Sequence, residues 1–432
     1  MSGKVVNNLK HALFIAFHYP PEAGSSGVLR TLKYTRYLGN YGWRVTVIAP
    51  RSDAYAVVDP QLEAQIPAAV RVVRTAYLNT KQHLSIRRRY PALLAVPDPW
   101  VGWAPWAIAA GRQLMHEDSV DLLYSTSPHA TAHLIAMRLA ARGLPWVADF
   151  RDPWIEDPPE PGAPNGYFYQ RINRYLEKRV VQRADHVVTS THHLRDLLGK
   201  RYPNVASNRM TAILNGYDEA DFSGLPPPDG HRSERMLILH AGNINPAFRD
   251  PAPLLKALRR LASAGAIDTE KILIRFIGGG AFGTSEAMQA TLADTGLAQQ
   301  TEFLPRVPYE EALRELGGAD LLLLLQASED TVALVPAKLF EYLRTQKPVL
   351  ALVRPGAASE VLSTTGGGWA VDPRDDKALD AAVVSAYRAW QTGALATCLA
   401  DMGVLRQFDR KALAGQLATV FDSLLSDRAQ AH

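Results

Sequence analysis

Residues 328–352 read Ser-Glu-Asp-Thr-Val-Ala-Leu-Val-Pro-Ala-Lys-Leu-Phe-Glu-Tyr-Leu-Arg-Thr-Gln-Lys-Pro-Val-Leu-Ala-Leu. The five leucines before them, 321–325, form an apolar run with no alternation. Such a run marks a strand buried on both faces of a parallel sheet. A polar loop, residues 326–331, follows it. Pro336 suits the first turn of a helix, where a missing N–H costs nothing. Leu339, Phe340 and Leu343 share one face of that helix. Lys338, Glu341 and Tyr342, three and four apart, share another. Pro348 helps end the helix, and residues 349–353 begin the next strand. A loop and helix N-terminus at the carboxyl end of a parallel strand is where open α/β sheets bind phosphorylated ligands.

The same alternation runs upstream. Residues 13–17 read as a strand, followed by the loop Tyr19-Pro20-Pro21-Glu22-Ala23-Gly24-Ser25-Ser26-Gly27. A helix follows with Val28, Leu32, Thr35 and Leu38 on one face, then a strand at 45–49. That is one right-handed βαβ unit. Further strands are expected at 70–73, 120–124, 146–150, 186–190 and 211–214, and helices at 105–115, 130–142 and 167–183. The stretch Ser223-Gly224-Leu225-Pro226-Pro227-Pro228-Asp229-Gly230 marks a domain boundary by its Pro/Gly content. The pattern then restarts, with strands at 237–240, 272–277 and 302–304 between helices at 253–261, 284–294 and 309–316. The tail is helical at 377–390 and 411–425. The expected fold class is α/β, with two Rossmann-like domains facing a central cleft. A first domain covers 1–222, a linker 223–232 and a second domain 233–405. A last helix, 406–432, is available to pack back on the first domain. Paired halves of this kind bind ligands where the carboxyl ends of both sheets meet.

Composition narrows the function. The chain has 432 residues, 47% hydrophobic and 21% charged, as expected of a globular protein with two ordinary domains. A net charge of +4 is too small to imply a nucleic-acid partner. The cluster Arg87-Arg88-Arg89 fits either a solvated loop or a contact with anionic lipid headgroups. Tyr77, Tyr90, Trp100, Trp103 and Trp106 fit either packing of an irregular excursion or an acceptor- or membrane-facing surface. Cys398 is the only cysteine, which excludes a disulfide framework and a thiolate metal cluster. The N-terminal apolar run, residues 12–17, is too short for a signal peptide. No stretch approaches the ~20 apolar residues of a membrane span. A cytoplasmic protein is expected, with possible peripheral contact at the inner face of the plasma membrane.

Four stretches carry a family resemblance. They are the loop from Pro20-Pro21-Glu22 to Gly27; Ser127-Pro128-His129; Leu214-Asn215-Gly216-Tyr217-Asp218; and residues 335–343 with Lys347-Pro348-Val349. Together they resemble, in order, glycosyltransferase family 4, retaining transferases of the GT-B fold. Asp149-Phe150-Arg151-Asp152-Pro153-Trp154 resembles members that build bacterial surface polysaccharide. The resemblance implies a retaining, metal-independent hexosyltransferase. Its donor would be a nucleotide-diphosphate sugar, its acceptor lipid-linked or a glycan, and it would need no cofactor. Many members carry Glu, seven residues, then Glu; here Glu341 fits the second position and Ala333 occupies the first. The identity of the sugar is therefore not carried over.

Chemistry assigns the roles. A departing diphosphate must be neutralised, and without a metal that falls to cations and backbone N–H groups. The amides of Gly24, Ser25, Ser26 and Gly27 precede a helix and suit a phosphate. Gly242 and Asn243 end a strand, and Arg249 lies beyond them. The resemblance places a basic pair here; Asn243 stands at its first position, leaving Arg249 with help from Lys338. Arg306 is a candidate near the nucleobase. Glu341 is expected on the ribose hydroxyls, its plain alternative being an ion pair with Lys338. Val335 belongs to the donor-binding stretch, and Gly279, within Gly278-Gly279-Gly280, to a close backbone approach under the nucleotide. His129 alone reads as a capping or packed residue; the resemblance makes it the group beside the reacting carbon. Asp149 and Asp152 are a poor metal pair, because Arg151 lies between them and Pro153 follows. Two competing functions remain: a nucleotide-sugar epimerase of the same fold, and a non-catalytic nucleotide-sugar-binding partner of an assembly complex, which Ala333 motivates.

Overall fold

The computed structural model describes residues 9–25, 27–85, 92–141, 143–155, 167–224, 234–247 and 249–431. It divides into two units, Met1–Leu214 with Arg410–His432, and Asn215–Asp409. Thirteen strands are described: β1 (Lys10–Ala16), β2 (Trp43–Pro50), β3 (Arg71–Thr75), β4 (Leu122–Thr126), β5 (Trp146–Phe150), β6 (His186–Thr189), β7 (Met210–Ala212), β8 (Met236–Ala241), β9 (Ile272–Ile277), β10 (Thr301–Leu304), β11 (Leu321–Gln326), β12 (Val349–Val353) and β13 (Gly368–Val371).

The first unit holds a parallel sheet ordered β3-β2-β1-β4-β5-β6-β7. Its central strands are apolar on both faces because each face carries a core. Leu13, Ile15, Leu123 and Phe150 face one core with Trp103 and Trp146. Ala12, Phe14, Val47 and Tyr124 face the other. The last helix, Arg410–Ala431, belongs to this second core. Phe421 packs edge-on against Trp43 at 5.1 Å and Phe14 at 6.3 Å. The Trp43 indole N–H donates to Asp422 at 2.9 Å, and Tyr41 donates to the Lys411 carbonyl at 2.9 Å.

The second unit holds a parallel sheet ordered β10-β9-β8-β11-β12-β13. Both sheets are Rossmann-like: strand order reverses once, between β1 and β4 and again between β8 and β11. The run 321–325 is buried throughout, as its lack of alternation predicts. The units divide after Leu214, earlier than residue 222. Residues 215–222 pack within the second unit: Arg344 donates to Glu219 at 2.7 Å and stacks over Phe222 at 4.9 Å. The expected linker lies mostly outside the described residues. Two further elements, the helix Ala357–Thr365 and β13, complete the second sheet.

Candidate functional site

The four loops leaving β1, β4, β8 and β11 stand at the two strand-order reversals. Open α/β sheets bind ligands in such crevices. They carry most of the residues singled out from sequence.

In the second unit the loop after β8 begins at Gly242, whose N–H donates to the Ile277 carbonyl at 2.8 Å. Its φ is +128°, a region that favours glycine. A β-carbon there would lie 2.3 Å from Lys338 Nζ. The absence of a side chain at Gly242 thus makes room for the ammonium. Lys338, in the helix Ala337–Arg344, donates to the Ala241 carbonyl at 2.7 Å. Tyr342, one turn on, accepts from the Ala241 N–H at 2.9 Å. Arg249 Nη1 donates to the Asn243 carbonyl at 3.2 Å. Burial, and then the charge of Arg249, push the Lys338 ammonium down to about 7, while Glu341 opposes this. Burial also lowers Arg249. Two desolvated cations close together form an arrangement that a diphosphate would stabilise.

Glu341 accepts a hydrogen bond from the Tyr309 phenol at 2.9 Å. The loops after β8, β9 and β10 converge beside it: a β-carbon on Gly278 would stand 3.8 Å from both the Gly242 carbonyl carbon and the Arg306 α-carbon. Asn243 and Arg306 are exposed. Gly279 and Val335 instead turn inward. A β-carbon on Gly279 would meet Ile244 and Phe303 at 3.3 and 3.4 Å, and Val335 is buried. A cavity of about 190 Å³ lies at the carboxyl ends of β11 and β12, lined by Gln326, Asp250 and Arg374 among others.

In the first unit His129 is half-buried after β4. Its ring stacks on His18 at 5.0 Å and meets Phe17 edge-on at 4.4 Å. Burial, then the neighbouring His18 and Arg151, push it down to about 3. It is therefore a neutral imidazole at physiological pH, able to hydrogen-bond a hydroxyl without bringing charge. His18 Nδ1 lies 3.0 Å from a Glu22 oxygen, and the other Glu22 oxygen accepts from Gly24 N–H at 2.7 Å. Gly27 begins the helix Gly27–Tyr37, and its N–H donates to Ser25 at 3.2 Å. A β-carbon on Gly27 would sit 1.5 Å from an Arg151 guanidinium nitrogen. The glycine thus lets a cation lie against the helix N-terminus. Guanidinium and helix dipole both favour an anion there. Ser26 lies outside the described residues.

Asp149 is fully engaged within the protein. Arg30 grips it through two nitrogens at 3.0 and 2.9 Å, and Tyr124 and Thr126 also donate to it. Burial alone would push this carboxyl up, but the Arg30 charge and hydrogen bonds hold it below its ordinary value. It anchors β5 to the helix Gly27–Tyr37. Among the described residues no three His, Cys, Asp or Glu side chains gather as a metal site would require.

The tryptophans divide. Trp103 is buried and donates to Thr75 at 2.8 Å; Trp100 packs on Phe17 at 4.4 Å; Trp106 stays 42% exposed. The arginines at 87–89 and Tyr90 lie outside the described residues. Among the described residues no helix is long and apolar enough to cross a membrane.

Sequence reasoning missed four contributors: His18, Glu22, Arg151 and Tyr309. Glu22 and Arg151 lie in stretches already quoted for their resemblance, His18 falls two residues before the first of them, and Tyr309 opens the helix after the Arg306 loop. What was missing was the pairing, which exists only in three dimensions.

Comparison with known proteins agrees with the fold. Residues 27–216 match the family model of the glycosyl transferase 4-like domain, and residues 225–392 that of glycosyl transferases group 1. No curated protein sequence matches the chain. Among solved structures, a glycosyltransferase from Rickettsia africae is similar at 14% identity and a TM-score of 0.66, covering 97% of this chain and 99% of that one. The sucrose-phosphate synthase of Thermosynechococcus elongatus is similar at 14% identity and a TM-score of 0.65, covering 97% and 100%. WaaG, a glycosyltransferase involved in lipopolysaccharide biosynthesis, is similar at 12% identity and a TM-score of 0.60, covering 95% and 99%. At these identities the likeness concerns the fold.

Proposed function

Because the chain is a glycosyltransferase of the GT-B type, we propose that it moves a hexose from a nucleotide-diphosphate sugar to a lipid-linked or polysaccharide acceptor. The reading further takes the reaction to retain anomeric configuration and to serve bacterial cell-surface glycan synthesis at the cytosolic membrane face. The observation that carries it is that Lys338 and Arg249 reach neighbouring residues at the end of β8 and in the loop after it, Lys338 at Ala241 and Gly242 and Arg249 at Asn243, with Glu341 three positions along the helix from Lys338. Cations for a leaving diphosphate thus stand beside a carboxylate suited to ribose hydroxyls. The likeness to WaaG supports the surface-glycan part.

In this reading Lys338 and Arg249 carry the diphosphate charge. The expected help from the Gly242, Gly24 and Gly27 amides is withdrawn, because they already donate to Ile277, Glu22 and Ser25. Arg306 and Asn243 border the nucleotide. His129, neutral, hydrogen-bonds the donor sugar near its reacting carbon. The bond from the anomeric carbon to the diphosphate oxygen breaks. The acceptor oxygen bonds to that carbon on the same face, and its proton passes to the departing phosphate. No metal is needed for the charge balance.

A panel of UDP, GDP and dTDP sugars, screened by thermal shift and then by transfer to lipid-linked acceptors, tests this. One donor should stabilise the fold and be consumed, with activity unaffected by EDTA. No stabilisation by any of them would count against the donor reading. An inverted product by NMR would overturn the mechanism.

A further inference from the structure

Glu341 is met by a side chain from a different element of the same unit. Its helix, Ala337–Arg344, is fastened to the second unit through Leu339, Phe340, Tyr342 and Leu343, all buried. The Tyr309 phenol donates to Glu341 Oε1 at 2.9 Å. Tyr309 opens the helix Tyr309–Gly318, which Leu313 and Leu316 fasten to that unit. Pro308, with φ −55° and ψ 152°, sets the direction in which the chain enters this helix. The bond thus joins two side chains that are 32 residues apart and carried on packed helices. The same hydroxyl lies 3.5 Å from an Asp221 oxygen, so Glu341 is the nearer of two carboxylates.

A glutamate side chain has much rotamer freedom, and a ligand that uses its carboxylate must freeze it. A hydrogen bond already made in the free protein removes part of that cost. A phenol donating to a carboxylate is charge-assisted and therefore strong. It occupies one of about four lone-pair positions on the carboxylate, so hydroxyls can still be accepted there. Arg306, which the reading above places beside the nucleotide, stands three residues before Tyr309 on the loop leaving β10.

We propose that Tyr309 is a positioning residue for the nucleotide. It holds the Glu341 carboxylate in the orientation that accepts from ribose hydroxyls, and so sharpens selection for a sugar ring that carries them. The inference rests on the reading above, in which Glu341 meets the ribose, and adds the residue that prepares it.

Whichever of UDP, GDP and dTDP stabilises the fold is titrated by calorimetry beside its 2′,3′-dideoxy counterpart. The proteins are the unmodified chain, Tyr309→Phe, Glu341→Gln and the double variant. The unmodified chain should prefer the hydroxylated ligand by about tenfold or more, and Glu341→Gln should lose most of that preference. Tyr309→Phe should weaken the hydroxylated ligand about fivefold and leave the dideoxy ligand within about twofold, with circular dichroism unchanged. The double variant should bind no worse than Glu341→Gln alone, since a positioning group then has nothing to position. Equal weakening of both ligands by Tyr309→Phe would overturn the proposal, as would a preference left unchanged or losses that add in the double variant. Tighter binding of the hydroxylated ligand by Tyr309→Phe would also overturn it, by making the phenol a competitor for the carboxylate. Each of these outcomes leaves the ribose role of Glu341 standing. If Glu341→Gln keeps the full preference, or none of the three nucleotides binds, that role falls and the proposal falls with it.

Discussion

Lys338 occupies a site that disfavours its own charge. Its ammonium is pushed down to about 7 from an ordinary 10.5, chiefly by burial. A lysine with a lowered folded value binds fewer protons when folded than when unfolded. The ligand-free protein should therefore gain stability as pH rises from about 7 toward the unfolded value. A diphosphate beside Lys338 would favour the charged form and raise its value again. Nucleoside diphosphate binding above pH 7 should then take up a proton. Affinity should fall by up to about tenfold per pH unit above that point. Titration calorimetry at pH 8 in two buffers of different ionisation enthalpy reads this directly, and Lys338→Met should abolish the uptake. Affinity that stayed flat with pH, with no proton uptake, would remove Lys338 from the diphosphate site. The lysine and its glycine were both singled out in sequence, Lys338 in the stretch 328–352 and Gly242 at the end of a strand. That Gly242 is the gap into which Lys338 reaches was not, because nearly one hundred residues separate them and only the fold joins them.

The last helix, Arg410–Ala431, shows what one element contributes to a sheet it follows by two hundred residues. Leu413, Ala414, Leu417, Ala418 and Phe421 are all buried in the second core of the first unit. Phe421→Ala should cost about 3–5 kcal/mol, since it empties a site between Phe14, Trp43 and Tyr124 that backbone cannot easily refill. Urea denaturation followed by tryptophan fluorescence would measure it, and a loss below about 1 kcal/mol would mean this helix is not part of that core. Elements of this kind are legible from sequence when their apolar residues are dense, as in 321–325 or along the last helix. They fade where the sheet ends. β13 is an edge strand beginning in a glycine run, with half-exposed positions, and neither alternation nor an apolar run announces it. The helix Ala357–Thr365 before it is short, and small and polar residues make up most of it. The excursion 77–110 could be read only as packing or surface, and the structure sorts it residue by residue. Trp103 and Trp100 pack inside while Trp106 stays outside.

At the scale of the whole molecule, the two units repeat one device: a parallel sheet that reverses once, with loops from the two switch strands carrying the chemistry. The devices are equipped differently. The second unit holds the paired cations and Glu341 with Tyr309. The first holds a neutral imidazole, a His–Glu pair and an arginine on a helix N-terminus. Nucleotide binding and sugar chemistry should therefore separate on mutation. Nucleoside monophosphates of the true donor base should slow hydrogen exchange in Asn215–Asp409 alone. His129→Ala should leave nucleoside diphosphate affinity within about twofold while lowering turnover on the order of 100-fold, the scale of one positioned proton-transfer or hydrogen-bonding group. His129→Asn, which keeps a neutral hydrogen-bonding group, should recover part of that loss. The decisive comparison is kcat against nucleotide Kd. If His129→Ala weakens both equally, the imidazole supports the fold, as packed histidines commonly do. If it lowers kcat alone, the uncharged ring that burial and Arg151 enforce is acting on the sugar.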